Sequence, residues 1–167
     1  MNTYICLENI RSLYNIGAIF RTCSFYGIYN VVLLGYAGKT HDSSGHTVLH
    51  SEILKTSLGA EKDLTILMLK EPTELIDFAK ENDFEIISIE QTDNSVDIHQ
   101  YAKDTENAFE NKIIVFGNEA VGVTPELQAA STHILELPRK GEHNSLNVTT
   151  TCGIVLDIIS QNSTNNI

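Results

Sequence analysis

The sequence predicts an α/β domain: a mostly parallel sheet flanked by helices. Six short apolar runs recur along the chain, and most are separated by stretches with helical periodicity, the alternation made by strands joined through crossover helices. In addition, Pro72 and Pro125 stand where a first helical turn tolerates a missing N–H.

The elements follow in order. TYICLE (3–8), VVLLG (31–35), TILML (65–69), EIISIE (85–90), KIIVFG (112–117) and HILEL (133–137) read as strands whose near-continuous apolar character marks burial on both faces. Helical patterns cover 13–26, 51–58, 72–82 and 125–130, and a last helix covers 146–160. Residues 163–167 form a polar tail expected to fray. No repeat, low-complexity tract or linker divides the chain, so its 167 residues read as one domain, long enough to bury most of its apolar surface.

Composition sets the bounds. Hydrophobic residues make up 42% and charged residues 20%, a globular balance. No apolar run reaches the roughly 20 residues that span a bilayer, and the first residues lack a basic region followed by a long apolar core. A soluble cytoplasmic protein is expected. Cys6, Cys23 and Cys152 lack the paired spacing of a metal or redox motif, which points to buried, reduced thiols with neither disulfide nor zinc. His41, His46 and His50 have no carboxylate or thiol in register, so 41–62 reads as a polar loop leading into a helix and no metal is expected.

Charge argues against nucleic acid when taken alone. Eleven Lys and Arg against 22 Asp and Glu give a net charge of -11, whereas a protein that grips phosphates usually shows a basic face. The distribution softens that objection, because Arg11, Arg21 and Arg139 are the only arginines and all lie in or beside three glycine-bearing stretches.

Those stretches are NIGAIFRTC (15–23), FGNEAVG (116–122) and LPRKGEHNSLNV (137–148), and each follows an apolar run, where an α/β fold builds its ligand crevice. In the first, Asn15 can cap a helix, Gly17 permits close backbone approach, and Arg21 projects one turn in, either as a phosphate clamp or as a structural ion pair. In the second, Gly117 and Gly122 let the backbone close around a ligand while Glu119 presents a carboxylate; the alternative is a turn whose Glu119 sits near a helix N-terminus. A carboxylate there disfavours a pyrophosphate and suits hydroxyls or a cationic centre. In the third, Pro138 ends the run, Gly141 permits a sharp reversal, and Asn144 or Ser145 can cap the following helix.

In this order the three stretches closely resemble the motifs of the SpoU (TrmH) class of RNA ribose methyltransferases, over nearly the whole chain. The resemblance implies the SPOUT fold in its minimal form, with a C-terminal deep trefoil knot formed from about residue 112 onward. It implies a homodimer in which the first-motif arginine of one subunit faces the cofactor pocket of the other; the apolar stripe Val148, Ile154, Val155, Ile158 and Ile159 is a candidate dimer face, or plain core. The implied reaction is methyl transfer from S-adenosylmethionine to a ribose 2'-hydroxyl of RNA, with tRNA favoured over rRNA. Carried onto this sequence, the functional residues are Asn15, Arg21, Glu119, Ser145 and Asn147. The cofactor would lie against Ile89, Gly117, Gly122, Leu137, Gly141, Ser145 and Leu146, and Arg11, Arg21, Lys55, Lys62 and Arg139 would meet RNA. Two readings compete: a non-catalytic knotted RNA-binding or regulatory dimer, and a nucleotide-dependent oxidoreductase, which needs glycines that the Asn15-x-Gly17 stretch lacks.

Overall fold

The computed structural model describes residues 2–105 and 108–164. Strand β1 (Thr3–Glu8) leads through helix α1 (Leu13–Phe25) to β2 (Asn30–Leu34). A hairpin of β3 (Lys39–His41) and β4 (Thr47–Leu49) follows, then a 3-10 turn (Ser51–Ile53) running into α2 (Leu54–Ser57). After β5 (Thr65–Leu69) come α3 (Pro72–Glu81), β6 (Glu85–Ile89), β7 (Val96–Asp97), α4 (Ile98–Asp104), β8 (Lys112–Phe116), α5 (Pro125–Ala130), β9 (His133–Glu136) and α6 (Val148–Thr164).

Seven strands form one sheet in the order β5-β2-β1-β8-β6-β9-β7, every pair parallel. Successive strand residues alternate between faces. Ile5, Leu7, Val31, Leu33, Ile114 and Phe116 pack under α1, α4 and α6, while Cys6, Val32, Leu34, Ile113 and Val115 pack under Leu75 and Ala79 of α3 and Leu127 of α5. The connection after β1 departs toward β2 and the one after β8 departs the other way toward β9, so the loops leaving these two central neighbours part above the sheet. That divergence is where open α/β sheets place their ligand crevice.

The six predicted strands are present, four of them ending one residue earlier than predicted, at Leu34, Ile89, Phe116 and Glu136. The polar loop predicted after β2 is instead the antiparallel β3–β4 hairpin. Lys39 at its root donates from Nζ to the Leu69 carbonyl, and burial lowers the Lys39 pKa. Helix α6 starts at Val148 and carries Ser163 and Thr164, which were expected in a frayed tail; the rest of that tail, 165–167, lies outside the described residues. Val155, Ile158 and Ile159 of the candidate dimer stripe are core, and Ile154 alone is appreciably exposed, at 37%. The Cys23 thiol of α1 meets the Cys152 thiol of α6 in the core, and this contact together with burial raises the Cys152 pKa. No helix among the described residues is long and apolar enough to cross a membrane, and no cluster of three metal-binding side chains is found among them.

Candidate active site

The first motif begins with a bend. Asn9, just past β1, adopts the left-handed conformation (φ 51°) and its Oδ1 accepts from Tyr36 N at 3.2 Å, which turns the chain out of the sheet. Helix α1 is capped by Ser12, whose hydroxyl accepts from Asn15 N at 3.3 Å, and not by Asn15 as the sequence suggested. Asn15 already lies in the first turn, which frees its amide to donate to Glu119 Oε1 at 3.3 Å. Gly17 does allow a close approach, but to protein: a Cβ there would lie 2.3 Å from the Ile53 carbonyl oxygen and 2.9 Å from Ser57 N, so α1 and the α2 turn are in backbone contact. Arg21 sits on the exposed face of α1, and its guanidinium makes no ion pair among the described residues.

The second motif is a loop tied to itself and to both its neighbours. Asn118 and Gly122 exchange backbone hydrogen bonds of 3.0 and 2.9 Å. A Cβ on Gly117 would lie 2.2 Å from Gly122 C and Val123 N, so the loop closes only over a glycine. Asn118, 8% exposed, uses its whole amide: Nδ2 donates to Asn9 O and Tyr36 Oη at 2.8 Å each, and Oδ1 accepts from Ala120 N and Val121 N. Gly122 has φ +74° and faces Glu90, whose Oε2 accepts from Val123 N at 3.0 Å.

Glu119 receives Arg11 N (3.0 Å), Ser12 N (3.2 Å) and the Asn15 amide, so it is the N-terminus of α1 that this carboxylate satisfies. Burial pushes the Glu119 pKa up, but the Arg11 and Ser12 N–H groups and the Asn15 amide outweigh it and hold the carboxyl below its ordinary range. With three donors on it, Glu119 couples the first and second motifs.

The third motif, between β9 and α6, has no regular structure. Among the described residues its segment 138–146 makes no backbone-to-backbone hydrogen bond, which leaves a run of main-chain donors and acceptors available. Arg139 Nη1 donates to Asn144 Oδ1 at 2.5 Å. Asn147, rather than Asn144 or Ser145, caps α6, its Oδ1 accepting from Thr149 N at 2.8 Å. The chain bends at Gly141, but with neither positive φ nor any atom within 4 Å of where a Cβ would stand, so the protomer's own packing does not require a glycine for that turn.

The second and third motifs wall a cleft of about 1020 Å³. Ile89, Gly117, Glu119, Gly122, Leu137, Gly141, Ser145, Leu146, Asn147 and Arg139 all line it. Asn15 reaches it only through Glu119. Arg21 and Lys62 are exposed elsewhere, Arg11 is joined to it through its backbone, and Lys55 is paired with Glu52 at 2.8 Å. Sequence reasoning missed Glu90 and Asn118 as lining residues, although a carboxylate at the carboxyl end of a buried strand was a signal for Glu90. Glu90, Glu119, Glu136 and Glu142 against Arg139 and Lys140 make the cleft a poor phosphate cradle and a fit for a neutral or cationic ligand. A nucleoside with a sulfonium satisfies that donor set: the free main chain of 138–146 suits a base and a ribose, and the carboxylates suit the cation. Val121, 81% exposed, and Leu146, 56% exposed, add apolar surface at its wall.

Comparison with known proteins gives the same direction. The profile of the SpoU rRNA Methylase family matches residues 2–157. A tRNA (guanosine(18)-2'-O)-methyltransferase of Aquifex aeolicus is 26% identical over 151 residues, covering 89% of this chain and 64% of the relative, and a 23S rRNA (adenosine(1067)-2'-O)-methyltransferase of Streptomyces laurentii is 26% identical, covering 91% and 52%. The chain therefore spans between half and two thirds of the length of these relatives. The fold is that of the SpoU methyltransferase AviRb from Streptomyces viridochromogenes in complex with AdoMet (TM-score 0.80, 17% identity, 98% of this chain and 61% of that one). It is also that of a protein solved in a study of 2-OH methylation of C/U34 on tRNA (TM-score 0.77, 14% identity, 98% and 97%).

Proposed function

The chain belongs to the SpoU rRNA Methylase family, and on that premise we propose that it is an S-adenosylmethionine-dependent methyltransferase acting on a ribose 2'-hydroxyl of RNA. The observation that carries this reading is the cleft in which the second and third motifs converge, with main chain that makes no backbone-to-backbone hydrogen bond among the described residues on one wall and carboxylates on the other. S-adenosylmethionine, when bound, supplies a methyl group on a sulfonium, and Ile89, Gly117, Gly122, Leu137, Gly141 and Leu146 are the residues that hold it. The segment from about residue 112 onward threads the trefoil knot of the SPOUT fold, which brings the third motif against the second.

The acceptor hydroxyl has to be oriented and relieved of its proton. Arginine keeps its own proton at a pKa above about 12, so Arg21 serves as a donor that orients the neighbouring phosphate or stabilises the developing alkoxide, while a phosphate oxygen or water takes the proton. Ser145 and Asn147, on the cleft wall, position the ribose. Because Arg21 does not line its own cleft and shares an exposed α1 surface with Tyr14 and Phe25, 54% and 81% exposed, it acts across a homodimer on the partner's cleft. Arg11, Lys55, Lys62 and Arg139 meet the RNA backbone. The names of the relatives in Aquifex aeolicus and Thermus thermophilus favour tRNA over rRNA, and a cytoplasmic location follows from such a substrate.

Calorimetry with S-adenosylmethionine should show one site per chain, and tritiated methyl should enter bulk tRNA. Arg21→Ala should keep cofactor binding and lower methyl transfer by about 10²- to 10⁴-fold. Mixing Arg21→Ala with a cleft-wall variant such as Ser145→Ala should restore part of the activity if the site is shared between subunits. Absence of cofactor binding overturns the transferase; cofactor and RNA binding without any transfer supports a non-catalytic knotted dimer instead.

A further inference from the structure

A second cleft, of about 600 Å³, opens at the carboxyl ends of β1, β2 and β5, on the other side of the second motif from the first. Asn9, Tyr36, Lys70, Glu71, Thr124 and Glu126 are among its walls. Asn118 forms the partition: it lines the first cleft, and its Nδ2 holds Asn9 O and Tyr36 Oη of the second. Tyr36 is thus pinned at its hydroxyl while the residue remains 56% exposed, which makes its ring a fixed aromatic platform. Behind the wall Glu8 is wholly buried, with Oε2 accepting from Thr124 N at 3.0 Å. Glu8 Oε1 and Thr124 Oγ1 are buried without a hydrogen-bond partner among the described residues, which leaves hydrogen-bonding capacity unspent behind this wall.

The chemistry of these walls is selective. Glu71 and Glu126 outweigh Lys70, so a phosphate is repelled, and a purely apolar ligand would leave the polar walls unanswered. A flat heteroaromatic ring with adjacent N–H donors on one edge and acceptors on another answers all of them. Guanine is the nucleobase with that layout, N1–H and N2–H2 for carboxylates and O6 with N7 for an ammonium.

We propose that the second cleft receives an unstacked guanine of the RNA, its face on Tyr36, its donor edge toward Glu71 and Glu126 and its acceptor edge toward Lys70. The inference rests on the RNA-acting function above and adds a base-reading subsite to it. Splayed-out bases stacked on aromatic side chains and read along their edges are how proteins recognise single-stranded RNA by sequence.

The test uses the full chain and fluorescein-labelled single-stranded RNA hexamers that differ only in one central base, read by anisotropy. The guanine hexamer should bind about tenfold more tightly than the adenine, uracil or inosine versions. Tyr36→Leu and Glu126→Gln should each erase the preference, whereas Tyr36→Phe, which keeps the ring but frees it from Asn118, should keep part of it, and Glu126→Gln should bind S-adenosylmethionine as the native chain does. Equal affinity for every base, or a preference that survives both Tyr36→Leu and Glu126→Gln, overturns the proposal. A retained guanine preference in a chain that binds no S-adenosylmethionine would instead remove the transferase and leave the subsite standing.

Discussion

The Asn15 amide donates to the Glu119 carboxylate at 3.3 Å across 104 residues of sequence, and this contact fastens the loop after β1 to the loop after β8. Two backbone donors share the same carboxylate, so a single acidic side chain both satisfies the start of α1 and fixes one wall of the cleft.

Replacing that carboxylate should therefore cost stability in a pH-dependent way. Glu119→Gln should lower the folding free energy by about 1–2 kcal/mol at neutral pH, because the amide turns a donor toward the N–H groups that the second oxygen accepted. Glu119 in the fold titrates below its ordinary value of 4.5, so its stabilisation is complete above that value and is lost as pH falls through the depressed one. Urea denaturation of the two proteins should show a gap at pH 7 that narrows below pH ~4.

Two glycines of the motifs should respond oppositely to alanine. Gly17→Ala drives a methyl onto the Ile53 carbonyl and Ser57 N and should destabilise the protein by about 3 kcal/mol, since neither backbone group can move away cheaply. Gly141→Ala meets open space and should leave thermal unfolding unchanged. A loss of S-adenosylmethionine affinity in Gly141→Ala, measured by calorimetry, would mark the place where ligand and main chain come closest.

Asn118→Ala removes the partition between the clefts together with both of its donor bonds and both of its acceptor bonds. Leaving those nearly buried partners without an amide should cost about 3 kcal/mol in urea denaturation. The same change should raise amide hydrogen exchange at Ala120 and Val121, which the side chain now protects.

The basic residues should differ in what they give to RNA. Lys55 is already neutralised by Glu52, and this exposed pair is worth less than about 1 kcal/mol to stability. Arg11 has no ion-pair partner among the described residues. Arg11→Ala should reduce the slope of log affinity against log salt by about 1, and Lys55→Ala by less, when bulk tRNA binding is titrated with salt.

Much of the sheet was legible because buried parallel strands are written as continuous apolar runs. TYICLE and KIIVF fall where β1 and β8 do, and Pro72 and Pro125 mark the first turns of α3 and α5 to the residue. The β3–β4 hairpin was missed because three-residue strands such as KTH carry no readable period. β7 and α4 escaped for a related reason: a two-residue edge strand and a seven-residue helix bury only Ile98 and Tyr101. At the site the residue types were visible but not their partners. Gly17 reads as a place of close backbone approach, but nothing around it says that the α2 turn is what approaches. Glu119 reads as near a helix N-terminus, but nothing says that the helix is α1, because spacing along a chain says nothing of what a fold brings from a hundred residues away.

Strands β1 and β8 pair residue for residue, Thr3 with Lys112 and Leu7 with Phe116, although more than a hundred residues separate them. During synthesis β1 can form its ladder with β2 early, but its other edge stays unpaired until the ribosome has released residue 116. Chains halted before that point expose an apolar, hydrogen-bond-hungry strand edge, the kind of surface that aggregates. The cleft needs still more of the chain, because β9 joins β6 only after residue 133 and the third-motif wall follows it, so both walls stand together only once most of the sequence has been made.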